Sequence, residues 1–444
     1  MNLSYKNYLL ALLVLTGVVA VFERFVFSLV LEPIKQELSL SDGQLGFMTG
    51  MAFFLFYAIA GIPLARWADR GNRVTIIALA TGLVGVMVSL CGMAGSFFQL
   101  LLARIGVAVG EAGITPAAQS LLSSYYNRVE RPHALAIFLT YYSIGMIIGY
   151  LLGGALVDAL GWRLTFVLMG VPGIIVAVLV KLTLTEPRLN HERVEFSQAP
   201  SLVKTFRIMW HQRSYREILL AFCVAYFFNA GATQWLATFY IRSYGISPAE
   251  LGAWLALIYG GLGTLGIVAG GYYASRLAVR KEKQQMRMLA FTIACSGVVS
   301  IMVYLSSSQG LSLFYLSIYA VLIMFGNGPV FGAIQSLMPQ QFRSVGVAIA
   351  FLFANLIGYG LGPLTLGWLS DLLSPAFGKE SLRYALVAFT PGTIWVSIHY
   401  WKASNTIEED IRTVEFEAGL ELATVEADGS NVEKTTKCSS QEVL

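Results

Sequence analysis

Charge is what this 444-residue sequence has least of: Asp, Glu, Lys and Arg together make up 13% of it, against about 25% in soluble domains. With 56% hydrophobic residues and a mean hydropathy of +0.66, a soluble chain is excluded. Cysteine is almost as scarce. Cys91, Cys223, Cys295 and Cys438 fall singly, three in apolar runs and one near the end, a pattern that provides neither a disulfide framework nor a metal site. The four histidines, His133, His191, His211 and His399, lie at or beyond the ends of the apolar runs, so histidine is not the expected proton relay. No intramembrane His, Cys or Ser cluster has catalytic spacing, which argues against an enzyme. The absence of a G-x-x-x-x-G-K-[ST] phosphate loop makes ATP an unsuitable energy source. No cofactor, metal or nucleic acid is expected.

What is present is a series of apolar runs from Tyr8 to Trp401, each about 20 residues and able to cross a hydrocarbon core of about 30 Å as a helix. No two-residue alternation points to a barrel. The runs fall at about 8–33, 44–65, 74–95, 97–122, 133–158 and 162–185, then 216–242, 249–275, 288–306, 312–338, 344–371 and 382–402. The expected fold is all-α, with twelve transmembrane helices in two pseudo-symmetric six-helix bundles. Residues 1–185 form the first bundle, 186–215 a cytoplasmic linker, 216–402 the second bundle and 403–444 a mostly disordered cytoplasmic tail. The linker carries Pro187 and Pro200 among basic residues, and the tail is acidic from Glu408 to Glu421. The first run is long and lacks a small-residue cleavage site, so it reads as a retained helix.

Orientation follows from the bases. With the N-terminus inside, roughly 23 of the 30 Lys and Arg residues lie on the inner side. The outer loops hold Lys35, Arg163, Arg242, Lys379 and Arg383. An internal repeat supports two related halves: Gly145, Gly149, Gly154 and Asp158 recur with the same spacing, 213 residues later, as Gly358, Gly362, Gly367 and Asp371. Small residues at such spacing let helix backbones approach closely.

Two runs contain charges deep within them. The stretch Val19 to Phe27 holds Glu23 and Arg24 side by side, although a charge at the bilayer centre costs about 2.5–3.5 kcal/mol on insertion scales. In the fourth run Arg104 and Glu111 are seven apart, on one helix face and roughly 10 Å apart along the axis. The depths match, so the four charges are expected to meet and to pair. Neighbouring helix residues point about 100° apart. Glu23 is therefore expected to be the titrating, cavity-facing member and Arg24 its local partner. The second half has no ionisable residue deep in its runs. It offers Tyr226, Asn229, Gln234 and Trp235 in the seventh, Asn327 in the tenth and Asn355 in the eleventh. These form a candidate cavity wall, although each is equally suited to a plain helix-to-helix hydrogen bond.

The loop after the second run reads Ala65-Arg66-Trp67-Ala68-Asp69-Arg70-Gly71-Asn72-Arg73. It resembles the major facilitator superfamily signature G-x-x-x-D-R-x-G-R-R, with Ala65 and Asn72 in place of glycines. Asp69, Arg70 and Arg73 are then the expected cytoplasmic gate, in which an acid followed by bases latches neighbouring helix ends. The echo at Gly271 to Arg276 has Ser275 where the acid would stand. With Glu23-Arg24 and with Arg104 followed by Gly110-Glu111-Ala112, the chain further resembles the Spinster-like branch, best over residues 15–165. That resemblance implies a proton-linked lipid transporter, associated with sphingosine phosphates and lysophospholipids. The branch's first-helix acid, usually Asp, corresponds to Glu23, and its fourth-helix Arg and Glu to Arg104 and Glu111.

The expected function is proton-coupled secondary transport of an amphipathic anionic lipid by alternating access. Deprotonated Glu23 would pair with Arg104 or Arg24, and protonation would free the Arg for an anionic head group, with Glu111 helping to position it. The same charges would also serve a carrier of small organic anions or drugs. A transport-dead membrane sensor is the rival from another class, and the short acidic tail offers it no signalling domain. The expected partners are a small amphipathic or anionic substrate, protons and the lipid bilayer. The chain is expected to be a monomer in a bacterial inner membrane, with both termini cytoplasmic.

Overall fold

The computed structural model describes residues 3–187, 202–277, 281–339, 342–414 and 416. Ten helical stretches are long and apolar enough to cross a membrane. Two of them, Arg131–Thr183 and Val345–Ala403, each contain two spans, turning at Gly161 (φ +74°) and Gly378 (φ +54°). These are left-handed backbone positions that glycine adopts without steric cost. The fold is therefore all-α with twelve spans, as expected.

The first set comprises Leu3–Leu38, 42–70, Arg73–Met93, Phe97–Tyr125, 131–160 and 161–183. The second comprises Arg213–Tyr244, 248–277, Glu282–Leu305, 309–336, 343–377 and 381–403. Spans start where local chemistry satisfies the first backbone N–H groups. Ser41 and Gln44 form a reciprocal capping box, and Asn72, Ser96, Ser247 and Ser308 accept from the third residue of their helices.

The repeated Gly and Asp residues explain how the sets meet. Asp158 of the fifth span accepts from the Ala249 N–H (3.1 Å), which opens the eighth. Its repeat partner Asp371, in the eleventh span, accepts from the N–H groups of Asp42 (3.0 Å) and Gly43 (2.7 Å), which open the second. Each set thus caps a helix of the other, with a carboxylate at the positive end of the helix dipole. The glycines beside them permit backbone contact. A Cβ at Gly46 would fall on the Pro363 carbonyl and 2.9 Å from Leu364 Cα.

All these bridges lie at the end that carries Asp42. Among the described residues, no hydrogen bond or ion pair joins the two sets at the opposite end, where Arg73 sits. The apolar core follows the same division. One core runs through the first set and the Asp42 half of the second, whereas Tyr215, Phe222, Leu289, Ile334 and Tyr400 belong to a separate core in the second set. Among the described residues, the hydrogen bonds and ion pairs between the sets are therefore gathered at the Asp42 end, which they seal.

The start of the tail packs onto the second set. Residues 407–414 are helical, with Ile407, Ile411 and Val414 buried. Asp410 accepts from the Ser214 N–H (2.8 Å) and Glu408 from the Lys283 N–H (3.4 Å). The helices starting there have no side-chain cap of their own, from Gln212 or from Lys281. The acidic residues are thus foreign caps for the seventh and ninth spans, a role that composition alone does not reveal. Replacing Asp410 with Ala is expected to cost about 1 kcal/mol, the usual worth of a cap, read as a lower melting temperature in detergent. Most of the linker, 188–201, and residues 417–444 lie outside the described residues.

Candidate functional site

The four intramembrane charges meet, as two separate pairs. The first span delivers Glu23 and Arg24 about 100° apart, and each finds a partner on the fourth span. Glu23 pairs with Arg104, and Arg24 pairs with Glu111. The environments differ. Glu23 is 0% exposed and Arg104 3%, with the guanidinium 4.3 Å from the Phe27 ring centre and 4.8 Å from that of Phe53. Glu23 Oε1 and Arg104 Nε have no hydrogen-bond partner. By contrast, the Arg24 side chain is 26% exposed and its partner Glu111 4%. Arg24 Nε donates to Glu111 Oε1 at 3.1 Å, and a second contact joins Nη2 to Oε2. The result is a bidentate pair of the kind that also recognises carboxylates and phosphates.

This geometry corrects the expectation that Glu23 faces the cavity. Arg24 is the accessible member, and Glu23 is turned into the packed interior of the first set. Apolar residues flank both positions in the sequence, so the rotation of the span could not be read from it. Only the packing of the span against its neighbours selects the face.

Around Arg24 the structure assembles aromatic rings of which only Tyr226 stands out in the sequence. The guanidinium lies 4.8, 5.4 and 5.8 Å from the ring centres of Phe53, Phe54 and Tyr57, within cation–π range. Phe54 stacks on Tyr359 of the second set at 5.0 Å, and Tyr359 meets Tyr226 edge-on at 5.5 Å. Tyr142 is exposed nearby, in contact with Phe25. In a chain with 13% aromatic residues the other rings carried no distinguishing signal.

The polar residues of the second set are dispersed. Tyr226 belongs to the aromatic group. Asn229 donates to the Tyr319 hydroxyl at 3.2 Å, inside the second set. Trp235 is fully buried and donates its indole N–H to the Pro363 carbonyl (2.9 Å), so it packs against the eleventh span rather than lining a cavity. Gln234 and Asn355 are half-buried. The side chain of Asn327 lies outside the described residues.

Of the loop signature, Arg73 is fully buried and bound to Glu186 through its side chain and its backbone N–H (2.7 Å). It also donates to the Ser120 carbonyl (2.8 Å) and Ser124 Oγ (2.7 Å). It therefore clamps the third span, the fourth span and the segment after the sixth, all within the first set. Arg70 is exposed, and the side chain of Asp69 lies outside the described residues.

A second charge cluster closes the opposite end. Asp42 accepts from Lys35 (2.7 Å), from Arg242 (2.7 and 2.6 Å) and from Ser370 (2.7 Å), and Arg242 also pairs with Glu32. Lys35 and Arg242 had been read only as loop charges. They lie near span ends far apart in sequence, and only the meeting of the second, seventh and eleventh spans turns them into a seal. Among the described residues, no three His, Cys, Asp or Glu side chains are grouped as metal ligands.

Comparison with known proteins agrees with this geometry. A family model described as Major Facilitator Superfamily matches residues 13–363. An MFS-type efflux pump of Mycolicibacterium smegmatis is 32% identical, over 90% of this chain and 92% of the pump. The sphingosine-1-phosphate transporter SPNS2 of Mus musculus is 22% identical, over 85% of this chain and 73% of the transporter. Among solved structures, a bacterial homologue of the human lysosomal transporter Spinster, inward-facing and unoccupied, superposes with a TM-score of 0.83. It shares 28% identity over 92% of this chain and 99% of the homologue.

Proposed function

Because the chain belongs to the Major Facilitator Superfamily, we propose that it is a proton-coupled secondary transporter of an amphipathic anion, a lysophospholipid or sphingosine-phosphate-like lipid, working by alternating access. The observation that carries this reading is the Arg24–Glu111 pair, a bidentate cation whose side chain keeps 26% exposure beside a carboxylate that occupies it. An anionic head group and Glu111 compete for the same guanidinium. Protonation of Glu111 removes the competitor and hands Arg24 to the substrate; deprotonation returns it and expels the anion. Glu23 meanwhile keeps Arg104 neutralised, so the interior of the first set never holds a lone charge.

The units 1–185 and 216–402 are the two rocking bodies. If the positive-inside rule places the Arg73 end in the cytoplasm, the structure is inward-open, with the Asp42–Arg242 cluster as the outer seal and both termini cytoplasmic. Resemblance to the sphingosine-1-phosphate transporter SPNS2 supports the lipid reading. The same pair would equally serve a second reading, a carrier of small organic anions or drugs.

The test is uptake of radiolabelled lysophosphatidic acid into proteoliposomes with and without an inward pH gradient. Arg24→Gln is expected to abolish uptake. Glu111→Gln is expected to retain binding while losing the pH dependence of uptake. Gradient-independent flux, or Arg24→Gln working at the normal rate, overturns the mechanism. Competition of uptake by hydrophilic organic acids at equal concentration moves the substrate to the second class.

A further inference from the structure

Four spans depart from the α-helix within their length, three of them with no proline in the turn that follows; in the eleventh, Pro363 takes the N–H away from the Tyr359 carbonyl. The second does so in a π-helical turn at Phe47–Ala52, the eighth at Ala256–Leu262 and the eleventh at Ala354–Tyr359. The fifth is interrupted at Thr140, between Arg131–Leu139 and the helix that starts at Tyr141. Shifted by the 213-residue repeat, Thr140 falls on position 353, one residue before the π turn of the eleventh span. These spans join the two sets, together with the first and seventh, which meet through Glu32 and Arg242. The second crosses the eleventh, where a Cβ at Gly50 would lie 2.5 Å from the Gly360 carbonyl. The eighth crosses the fifth, where a Cβ at Gly260 would lie 2.6 Å from the Ile147 side chain. The first, third, fourth, sixth, seventh and ninth spans run uninterrupted. The tenth and twelfth break at Gly326 and around Pro391, residues that weaken a helix by themselves.

We propose that the π turns of the second, eighth and eleventh spans are hinges, about which the sealed ends of these spans bend relative to the rest of their own set. In hydrocarbon an unpaired backbone group costs several kcal/mol, so a hinge that opens the hydrogen-bond ladder is expensive. A π turn avoids that cost. Its N–H groups are bonded five residues back instead of four, and moving a bond between these two acceptors bends the helix while every donor stays paired. The position of the turns joins this motion to the ion pair. Phe53 and Phe54, which hold Arg24, follow directly on the π turn of the second span, and Tyr359, which stacks on Phe54, ends that of the eleventh. Bending therefore rotates the rings around Arg24 as the sealed end opens.

The proposal rests on the alternating-access reading, and the experiment separates the two. In a cysteine-free background, with Cys91, Cys223, Cys295 and Cys438 replaced, pairs of spin labels are placed on exposed residues and distances are compared with and without Arg242→Gln, which breaks the seal. Met93 and Leu305 lie at the sealed ends of different sets, and their separation reports opening. Leu372 and Leu305 lie at the sealed ends of the eleventh and ninth spans, within one set. Met93 and Leu164, on the third and sixth spans, are the control without a π turn. The arm from the hinge to Leu372 is about 24 Å long, so a 15° bend displaces its tip by about 6 Å. The expected result is a longer Met93–Leu305 distance, a Leu372–Leu305 distance changed by several ångström, and a constant Met93–Leu164 distance. Opening with a constant Leu372–Leu305 distance means rigid rods and overturns the hinge alone. A fixed Met93–Leu305 distance, both with Arg242→Gln and with Gly46→Ala as an independent wedge in the same seam, overturns alternating access and the hinge with it.

Discussion

Replacing Arg104 with alanine is expected to lower stability by about 3–5 kcal/mol, the cost of leaving the partner of a buried ion pair uncompensated. Glu23 has nowhere to turn. It is 0% exposed, it pairs with Arg104, and its Oε1 has no hydrogen-bond partner. The measurement is thermal unfolding in detergent at neutral pH. The double variant Glu23→Gln/Arg104→Gln is expected to recover most of the loss, because two neutral amides can pair without a desolvated charge. Arg24→Gln is expected to cost less than Arg104→Ala, because a glutamine still donates a hydrogen bond to the buried Glu111 and Glu111 can take up the proton that the transport mechanism assigns to it. Stability and transport should therefore separate. Arg104 is needed mainly for the fold and Arg24 for the anion. Equal melting of the Arg104→Ala and Arg24→Gln proteins would remove this division of labour.

Gly46→Ala is expected to hold the sealed end open. The added methyl would fall on the Pro363 carbonyl and the Leu364 Cα, backbone atoms that cannot rotate away as the tip of a flexible side chain could. Overpacking of this kind costs typically 1–3 kcal/mol, and here the cost falls on the closed arrangement alone, because the contact exists only while the second and eleventh spans touch. Each 1.4 kcal/mol is tenfold in the closed-to-open ratio. With Ser370→Cys as reporter, a residue buried in the seam against Asp42, alkylation by a membrane-impermeant maleimide should rise at least tenfold in the Gly46→Ala background. Gly61→Ala, at a site with nothing within 4 Å of its Cβ position, should leave the rate unchanged. No difference between the two backgrounds would show that the crossing does not control the seal.

The architecture was largely legible beforehand. Runs of about 20 apolar residues state the number of spans, and a local composition survives whatever the spans pack against. The repeat from Gly145 to Asp158 and from Gly358 to Asp371 was visible as spacing, and its reading as close packing matches the structure. What Asp158 and Asp371 cap was not visible, since the N–H groups they serve belong to helices 91 and 329 positions away. The tail shows the same limit. Its acids read as disorder-promoting because their partners, the uncapped starts of the seventh and ninth spans, lie far back in the chain.

The candidate site divides along the same line. That Glu23, Arg24, Arg104 and Glu111 are the charges to explain follows from the sequence alone, because a charge within an apolar run is costly wherever the helix sits. Which acid takes which base, and which pair meets the cavity, was decided only by the fold. Adjacent residues on a helix differ by about 100°, and the choice between them rests on neighbouring spans, which bury Glu23 and Arg104 while Arg24 is left at the edge of the packing. The seal between Asp42, Arg242 and Glu32 belongs wholly to the tertiary structure. Hydrophobicity, periodicity and the cost of a buried charge are properties of a segment and can be read from it, whereas a charge's partner and its exposure are properties of the space between segments and exist only once the chain has folded.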